Sequence, residues 1–480
     1  MEPTTIPREI PMLDQASIEE LFDRQKAKAP QLALTGYRKR KAKLKKLMDW
    51  MDAHQEEIQQ EIHKDFRKSP TEFYISEHLV VRGEIKHTIS HLRRWMRRDK
   101  VSTPILYLGT QSYIHYEPKG VCLIISPWNY PFSLAIKPLI SCIAAGNTAI
   151  LKPSEMTPYA SGLIKRMIEE LYEPDEVAVV EGGVDISQRL LSLPFNHIFF
   201  TGSPRVGRIV MEAASKHLTS VTLELGGKSP CIVDPSAHIR QSAERIAWGK
   251  WLNNGQTCIA PDYLLVHESV RDPLIDEMEK AVNKMYNPKG EGFDQSRDYD
   301  RLVNEKHFHR LREMMDQTLR EGGRLAFGGE IDASQHYIAP TVIFNVHQGM
   351  GIMEEEIFGP LLPVITYVDQ EEALEVIHHL PKPLAMYIFA RNRKVKDFFM
   401  NRTSAGGTVI NETLIHFGHH ALPFGGVNNS GIGKSGGKYG FIEFSNQRGV
   451  IEQRWGTIKP FYPPYTDRVK KLVKLAERFF

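Results

Sequence analysis

Apolar positions recur at three- and four-residue spacing through the first hundred residues. Ile18, Leu21 and Phe22 open one such stretch; Leu44, Leu47, Met48, Met51, Ile58 and Ile62 extend it; and residues 79–95 carry it on with charges interleaved. This spacing predicts amphipathic helices. Residues 105–115 include Tyr107, Gly109, Ser112 and Tyr113, with strand and turn character but little apolar mass. They predict an exposed β-ribbon.

From Gly120 the period changes. Short apolar runs at 121–125, 148–151, 178–180 and 197–200 alternate with helical segments such as 162–172. That alternation predicts an α/β fold with a parallel sheet and crossover helices. Such sheets bind ligands beyond the carboxyl ends of their strands, so the loops after these four runs are the ones to search. A second α/β block spans about 226–426, with runs at 231–233, 263–266, 362–367 and 408–410. After Phe441 the pattern lapses into a Pro-rich turn, Phe461-Tyr462-Pro463-Pro464-Tyr465, and a short basic helix.

Composition narrows the function classes. The chain has 480 residues, 41% of them hydrophobic, enough for about three domains at roughly 150 residues each. Disordered and collagen-like classes are excluded. Lys and Arg number 61 against 58 Asp and Glu, a balance unlike that of a dedicated nucleic-acid binder. The basic run from Arg38 to Lys46 lies among Leu44, Leu47, Met48 and Met51 and reads as a solvated helix face. The most apolar window, 132–151, carries Lys137, Pro138 and Asn147, which predicts a buried helix leading into a strand rather than a membrane span. Four cysteines without CxxC spacing argue against a zinc site. With no secretory segment after Met1-Glu2-Pro3, a reducing cytoplasm is expected.

Candidate chemistry follows the strands. Gly227-Lys228-Ser229 and Gly433-Lys434-Ser435 end like phosphate-binding loops, but Thr222 and Asn428 stand where that motif needs its first glycine. Gly202-Ser203-Pro204-Arg205-Val206-Gly207 follows the run 197–200 and opens a helix, a turn that suits an anion or a plain strand-to-helix junction. Cys258 follows the polar stretch Asn253-Asn254-Gly255-Gln256-Thr257, where a thiolate would be reachable. Cys122, Cys142 and Cys231 lie in apolar runs and read as core. Glu224, flanked by leucines and followed by Gly226-Gly227, would be desolvated toward the pKa of a general base, or be a salt-bridged strand end. Asn129, in Ser126-Pro127-Trp128-Asn129-Tyr130-Pro131, is either a turn residue or a donor to an oxyanion. His416, His419 and His420 have no acidic or Cys partner nearby in sequence, so no metal is expected.

Read together, these segments resemble the NAD(P)-dependent aldehyde dehydrogenase superfamily from about residue 30 to 450. The resembling runs are the Asn129 segment, Lys152-Pro153-Ser154-Glu155, Phe200-Thr201-Gly202-Ser203, Leu223-Glu224-Leu225-Gly226-Gly227-Lys228, Gly255-Gln256-Thr257-Cys258 and Glu356-Ile357-Phe358-Gly359-Pro360, in family order. Pro423-Phe424-Gly425-Gly426-Val427-Asn428-Asn429-Ser430-Gly431 and Tyr462-Pro463-Pro464-Tyr465 are similar to the class 3 and fatty-aldehyde branch. The resemblance implies Cys258 as nucleophile, Glu224 as the base for hydrolysis and Asn129 as oxyanion donor. It implies a cofactor site of Lys152, Glu155, Gly202, Ser203, Val206, Gly207, Glu356 and Phe358, for NAD with NADP as the alternative. Pro204 and Arg205 depart from the smaller residues usual in the glycine turn.

The implied fold has a Rossmann-like NAD-binding domain (1–101 and 118–225), a catalytic α/β domain (226–425), and an oligomerisation ribbon with a C-terminal tail (102–117 and 426–480). The implied activity oxidises medium- or long-chain aliphatic or aromatic aldehydes to acids, in a homodimer that binds no nucleic acid. CoA-acylating or phosphorylating relatives, and an inactive structural relative, are the alternatives. Residues 467–480 place Val469, Leu472, Val473, Ala476, Phe479 and Phe480 on one helical face, too short to span a bilayer. That face would pack on its own subunit, cover the substrate entrance or touch a membrane surface.

Overall fold

The computed structural model describes residues 15–456 and 458–477. The expected domain limits at 1 and 480, and the tail residues Phe479 and Phe480, lie outside them. The amphipathic spacing of the first hundred residues yields helices Gln15–Ala33, Tyr37–Ala53, Gln55–Phe66 and Leu79–Trp95. Leu44, Leu47, Met51, Ile58, Ile62 and Ile85 are fully buried, so the periodic residues face a core as predicted.

The apolar runs form a six-stranded sheet. Its order in space is Gly431–Ile432, Ser220–Leu225, His197–Gly202, Val121–Ile125, Thr148–Lys152 and Val177–Val179. All neighbours are parallel except Gly431–Ile432, which runs antiparallel to Ser220–Leu225. From Val121–Ile125 the chain steps outward through 148–152 to 177–179, then returns to the opposite side for 197–202 and 220–225. The loops after Ile125 and Gly202 therefore diverge, which opens a crevice at the switch point of the sheet.

A seven-stranded sheet forms the second block, ordered Arg324–Phe327, Thr341–Phe344, Leu361–Tyr367, Tyr263–His267, Pro230–Val233, Ala385–Phe389 and Gly407–Ile410. The helix predicted inside the apolar window is Pro131–Ala145, buried along its length. No helix among the described residues is long and apolar enough to cross a membrane.

The ribbon differs in detail from expectation. Residues Ile105–Tyr107 form a single 3-10 turn, and the strand proper is Thr110–Pro118, paired antiparallel with Ser445–Gln453 over nine residue pairs. Pro104 precedes that turn as its N-cap, with ψ 150° outside the helical range. The tail helix runs Asp467–Ala476; Val469 is buried, whereas Val473 and Leu475 are exposed.

Candidate active site

Three cavities meet at Cys258. A cleft of about 590 Å³ at the switch point is lined by Trp128, Asn129, Ser203, Glu224, Glu356 and Phe358 among others. An apolar cavity of about 320 Å³ approaches from the other side, past Val80, Tyr130, Trp248, Leu252, Leu414 and Ile415. A small cavity of about 40 Å³ lies behind, between Glu224, Ser435, Lys137 and Glu84. Cys258 lines all three.

The loop that carries Cys258 is polar, and it is packed while Cys258 itself stays reachable from the cavities. Asn253, Asn254 and Gln256 are fully buried because the chain itself takes up their amides. Asn253 Nδ2 donates to the Asn129 and Gln256 carbonyls, Asn254 Nδ2 to the Asp300 carbonyl, and Gln256 Nε2 to the Asn253 and Arg301 carbonyls. Asn253 and Asn254 sit at φ 54° and 55°, the left-handed region that asparagine tolerates. Cys258 itself is half-buried, whereas Cys122, Cys142 and Cys231 are buried as predicted. Burial, and after it the Glu356 and Glu224 carboxylates, hold the Cys258 thiol well above its ordinary range. The backbone N–H groups of Cys258 and Ile259 point at the sulfur and favour its ionised form.

Glu224 sits on the strand Ser220–Leu225 with its carboxyl buried, which pushes its pKa up to about 8. Ser435 Oγ donates to Oε1 at 2.8 Å, and Lys434 and Lys137 also favour the charged form. Oε2 has no partner among the described residues. Asn129 follows the strand Val121–Ile125 and is buried; its Nδ2 donates one bond, 2.9 Å, to the Gln256 carbonyl. An amide nitrogen has two hydrogens, so one remains for a ligand.

Four of the expected cofactor residues, Gly202, Ser203, Glu356 and Phe358, line the cleft. Ser203 caps the helix Pro204–Ser215, accepting from Val206 N–H. Phe358 stands edge-on to Trp128 at 5.4 Å, with His307 on the same indole at 5.2 Å. A Cβ on Gly226 would lie 1.9 Å from Glu356 Oε2, so glycine is what lets that carboxyl lie across the strand end. Burial and Asp262 push Glu356 up to about 8, against opposing effects of the Gly227 N–H, Lys228 and Arg310.

The other four stand apart from the cleft lining. Lys152 and Glu155 pair at 2.6 Å at the end of the next strand. Val206 and Gly207 lie within the helix, where a Cβ on Gly207 would approach Leu225 Cδ2 to 2.7 Å; this glycine serves helix-to-sheet packing. Residues to which the sequence gave no site role include Arg208, Arg310 and Lys382 on the cleft, and Lys137 and Ser435 behind Glu224. His420, for which the sequence offered no acidic partner, meets Glu84 at 3.0 Å from 336 residues away. No group of His, Cys, Asp and Glu among the described residues forms a metal site.

The profile of the Aldehyde dehydrogenase family matches residues 4–450. The chain belongs to the aldehyde dehydrogenase family. It is 44% identical to 4,4'-diaponeurosporen-aldehyde dehydrogenase of Staphylococcus aureus, over 90% of this chain and 93% of that one. It is 42% identical to aldehyde dehydrogenase family 3 member H1 of Arabidopsis thaliana, over 92% and 90%. Among solved structures, a substrate-bound Staphylococcus aureus AldH superimposes with TM-score 0.91 at 42% identity, covering 96% of this chain and 99% of that one. The expected α/β architecture holds, and this aldehyde dehydrogenase oxidises aldehydes to carboxylic acids with NAD(P)+. The acylating and inactive alternatives are not favoured.

Proposed function

We propose that Cys258, Glu224 and Asn129 carry out a hydrolytic oxidation of lipophilic aldehydes. The observation that carries this reading is the position of Cys258 at the junction of an apolar cavity and a polar cleft. An aldehyde enters through the apolar cavity and presents its carbonyl carbon to the sulfur. The Cys258 thiol gives up its proton to water and adds as the thiolate, which turns the carbonyl oxygen into an oxyanion. The free hydrogen of Asn129 Nδ2 and the Cys258 N–H stabilise it, in surroundings where such bonds are strong. NAD(P)+, when bound, supplies the hydride acceptor. The carbon, having lost hydride, remains on Cys258 as a thioester. Glu224, with Oε2 unpartnered, then takes a proton from water as it attacks, and the carboxylic acid leaves with release of the thiolate.

The cleft fits a dinucleotide in its donor set. Ser203, Arg205 and Arg208 at a helix start suit a pyrophosphate. Glu356 would accept from ribose hydroxyls, with Phe358 beside it. Lys152 and Glu155 would reach the far ribose, and Val206 and Gly207 would shape the helix start. The Glu155 carboxylate favours NAD over NADP.

The domain limits expected from sequence go with this reading: 1–101 and 118–225 hold the cofactor, 226–425 carry the nucleophile, and 102–117 with 426–480 form the ribbon and tail. Leu108, Ile451 and Trp455 are exposed along that ribbon and support its use in a homodimer. Four free cysteines fit a reducing cytoplasm. Exposed Val473, on the apolar face of the tail helix, supports peripheral contact with a membrane surface. The test is NADH formation across aldehydes of increasing chain length, with and without CoA or phosphate. The reading expects no dependence on either acceptor and a KM that falls as the chain lengthens. A requirement for CoA or phosphate would overturn it.

A further inference from the structure

Behind the Asn129 loop lies a buried ion pair that the chemistry above does not use. Ser69 caps the short helix Pro70–Phe73. The chain then passes through one π-helical turn, Tyr74–His78, before the helix Leu79–Trp95 continues. Such turns are rare and tend to sit at functional sites, since the wider ring redirects the side chains that follow. Here it leaves Glu77 and His78 buried.

Lys68 Nζ donates to Glu77 Oε1 at 2.9 Å, and both side chains are wholly removed from solvent. Glu77 Oε2 accepts from the N–H groups of Phe132 and Ser133, at 3.0 and 2.9 Å. These are free donors in the first turn of the helix Pro131–Ala145, whose N-cap residue Tyr130 makes no side-chain cap. Lys68 Nζ also donates to the carbonyl of Asn129 at 3.3 Å and stands 4.0 Å from the centre of the Tyr130 ring. The Tyr130 hydroxyl in turn meets Thr257 Oγ1 at 2.7 Å, one residue before Cys258. The other acids facing Lys68 are Asp300 and Glu72, and Asp300 accepts from Ser69 N–H.

Two charges withdrawn from water seldom stabilise a fold more than well-packed apolar side chains would. This pair directs its remaining hydrogen bonds at residues 129–133, the segment that holds the oxyanion donor. We propose that Lys68 and Glu77 are positioning residues for the oxyanion site. Glu77 fixes the start of the helix, Lys68 fixes the Asn129 backbone and the Tyr130 ring, and together they hold the Asn129 amide opposite Cys258 during acylation. The proposal rests on the role given to Asn129 above.

A double-mutant cycle between Glu77→Gln and Asn129→Ala tests it, read as the rate of NADH formation in the first turnover. Glu77→Gln should slow that rate about 10- to 100-fold, less than the roughly 100- to 1000-fold that loss of an oxyanion donor costs. Aldehyde KM and the rate of Cys258 alkylation by iodoacetamide, which forms no oxyanion, should stay within a few-fold. The double variant should be no slower than Asn129→Ala alone. Additive losses, or an equal slowing of alkylation, would overturn the proposal and leave a structural role. A normal first turnover in Asn129→Ala would instead remove the reading on which it rests. If Glu77→Gln does not fold, Lys68→Met with Glu77→Gln removes both charges of the pair together and enters the same cycle. Lys68→Arg, which keeps the cation, should retain more activity than Lys68→Met.

Discussion

Ser435 Oγ donates a 2.8 Å hydrogen bond to Oε1 of Glu224, while Oε2 of the same carboxyl is left without a partner among the described residues. One oxygen is anchored and the other is free to meet a water. The two residues are 211 positions apart in the chain.

Burial pushes Glu224 up to about 8, so its base form accumulates only as the pH rises through that value. Where deacylation limits turnover, kcat should rise about tenfold per pH unit below 8 and level off above it. Ser435→Ala removes a bond that favours the charged carboxylate and should move this limb to higher pH. A pH–rate profile checks both. A limb displaced to lower pH in the variant would contradict the account. The same shift has a stability sign. Between about pH 4.5 and 8 the unfolded chain releases a proton that native Glu224 retains, so native stability falls across that window. Glu224→Gln should therefore gain in Tm relative to wild type as the pH is raised from 5 to 9.

Gly226→Ala should displace Glu356, because the new Cβ would fall 1.9 Å from its Oε2. The carboxyl end can swing away, so the fold should survive with little change in Tm. Cofactor KM should rise about tenfold, roughly one charge-assisted hydrogen bond. Aldehyde KM should change much less. Steady-state kinetics with each substrate varied in turn separates the two.

NAD should be preferred over NADP, since the Glu155 carboxylate would accept from ribose hydroxyls and repel a 2′-phosphate. Lys152 holds that carboxylate at 2.6 Å and offsets part of the repulsion. Glu155→Gln should narrow the ratio of kcat/KM between the two cofactors. Equal values in the unaltered protein would contradict the assignment.

The strands of the cofactor sheet were legible because each is a short apolar run, and a parallel sheet covered on both faces needs such runs. Cys258, Glu224 and Asn129 stood out only when the order of several motifs was considered together, and the fold brings the three to one cleft. What local pattern could not reveal were contacts made across hundreds of residues. Gly433-Lys434-Ser435 looked only like a failed phosphate loop, yet Ser435 anchors Glu224 and Lys434 Nζ donates to the Gly426 carbonyl. Lys228, in the other failed loop, pairs with buried Asp262. The loop before Cys258 is polar, and its amide nitrogens turn onto main-chain carbonyls, which a composition argument does not register.

Cys258 should carry the acyl group, and Glu224 should release it. Glu224→Gln, mixed with NAD+ and a long-chain aldehyde and quenched within the first turnover, tests this by peptide mass spectrometry alongside NADH absorbance. Up to one NADH should form per active site, with little turnover after that and the acyl mass on the peptide containing Cys258. An acyl group on Cys122, Cys142 or Cys231, or a full burst with no adduct on any cysteine, would contradict it.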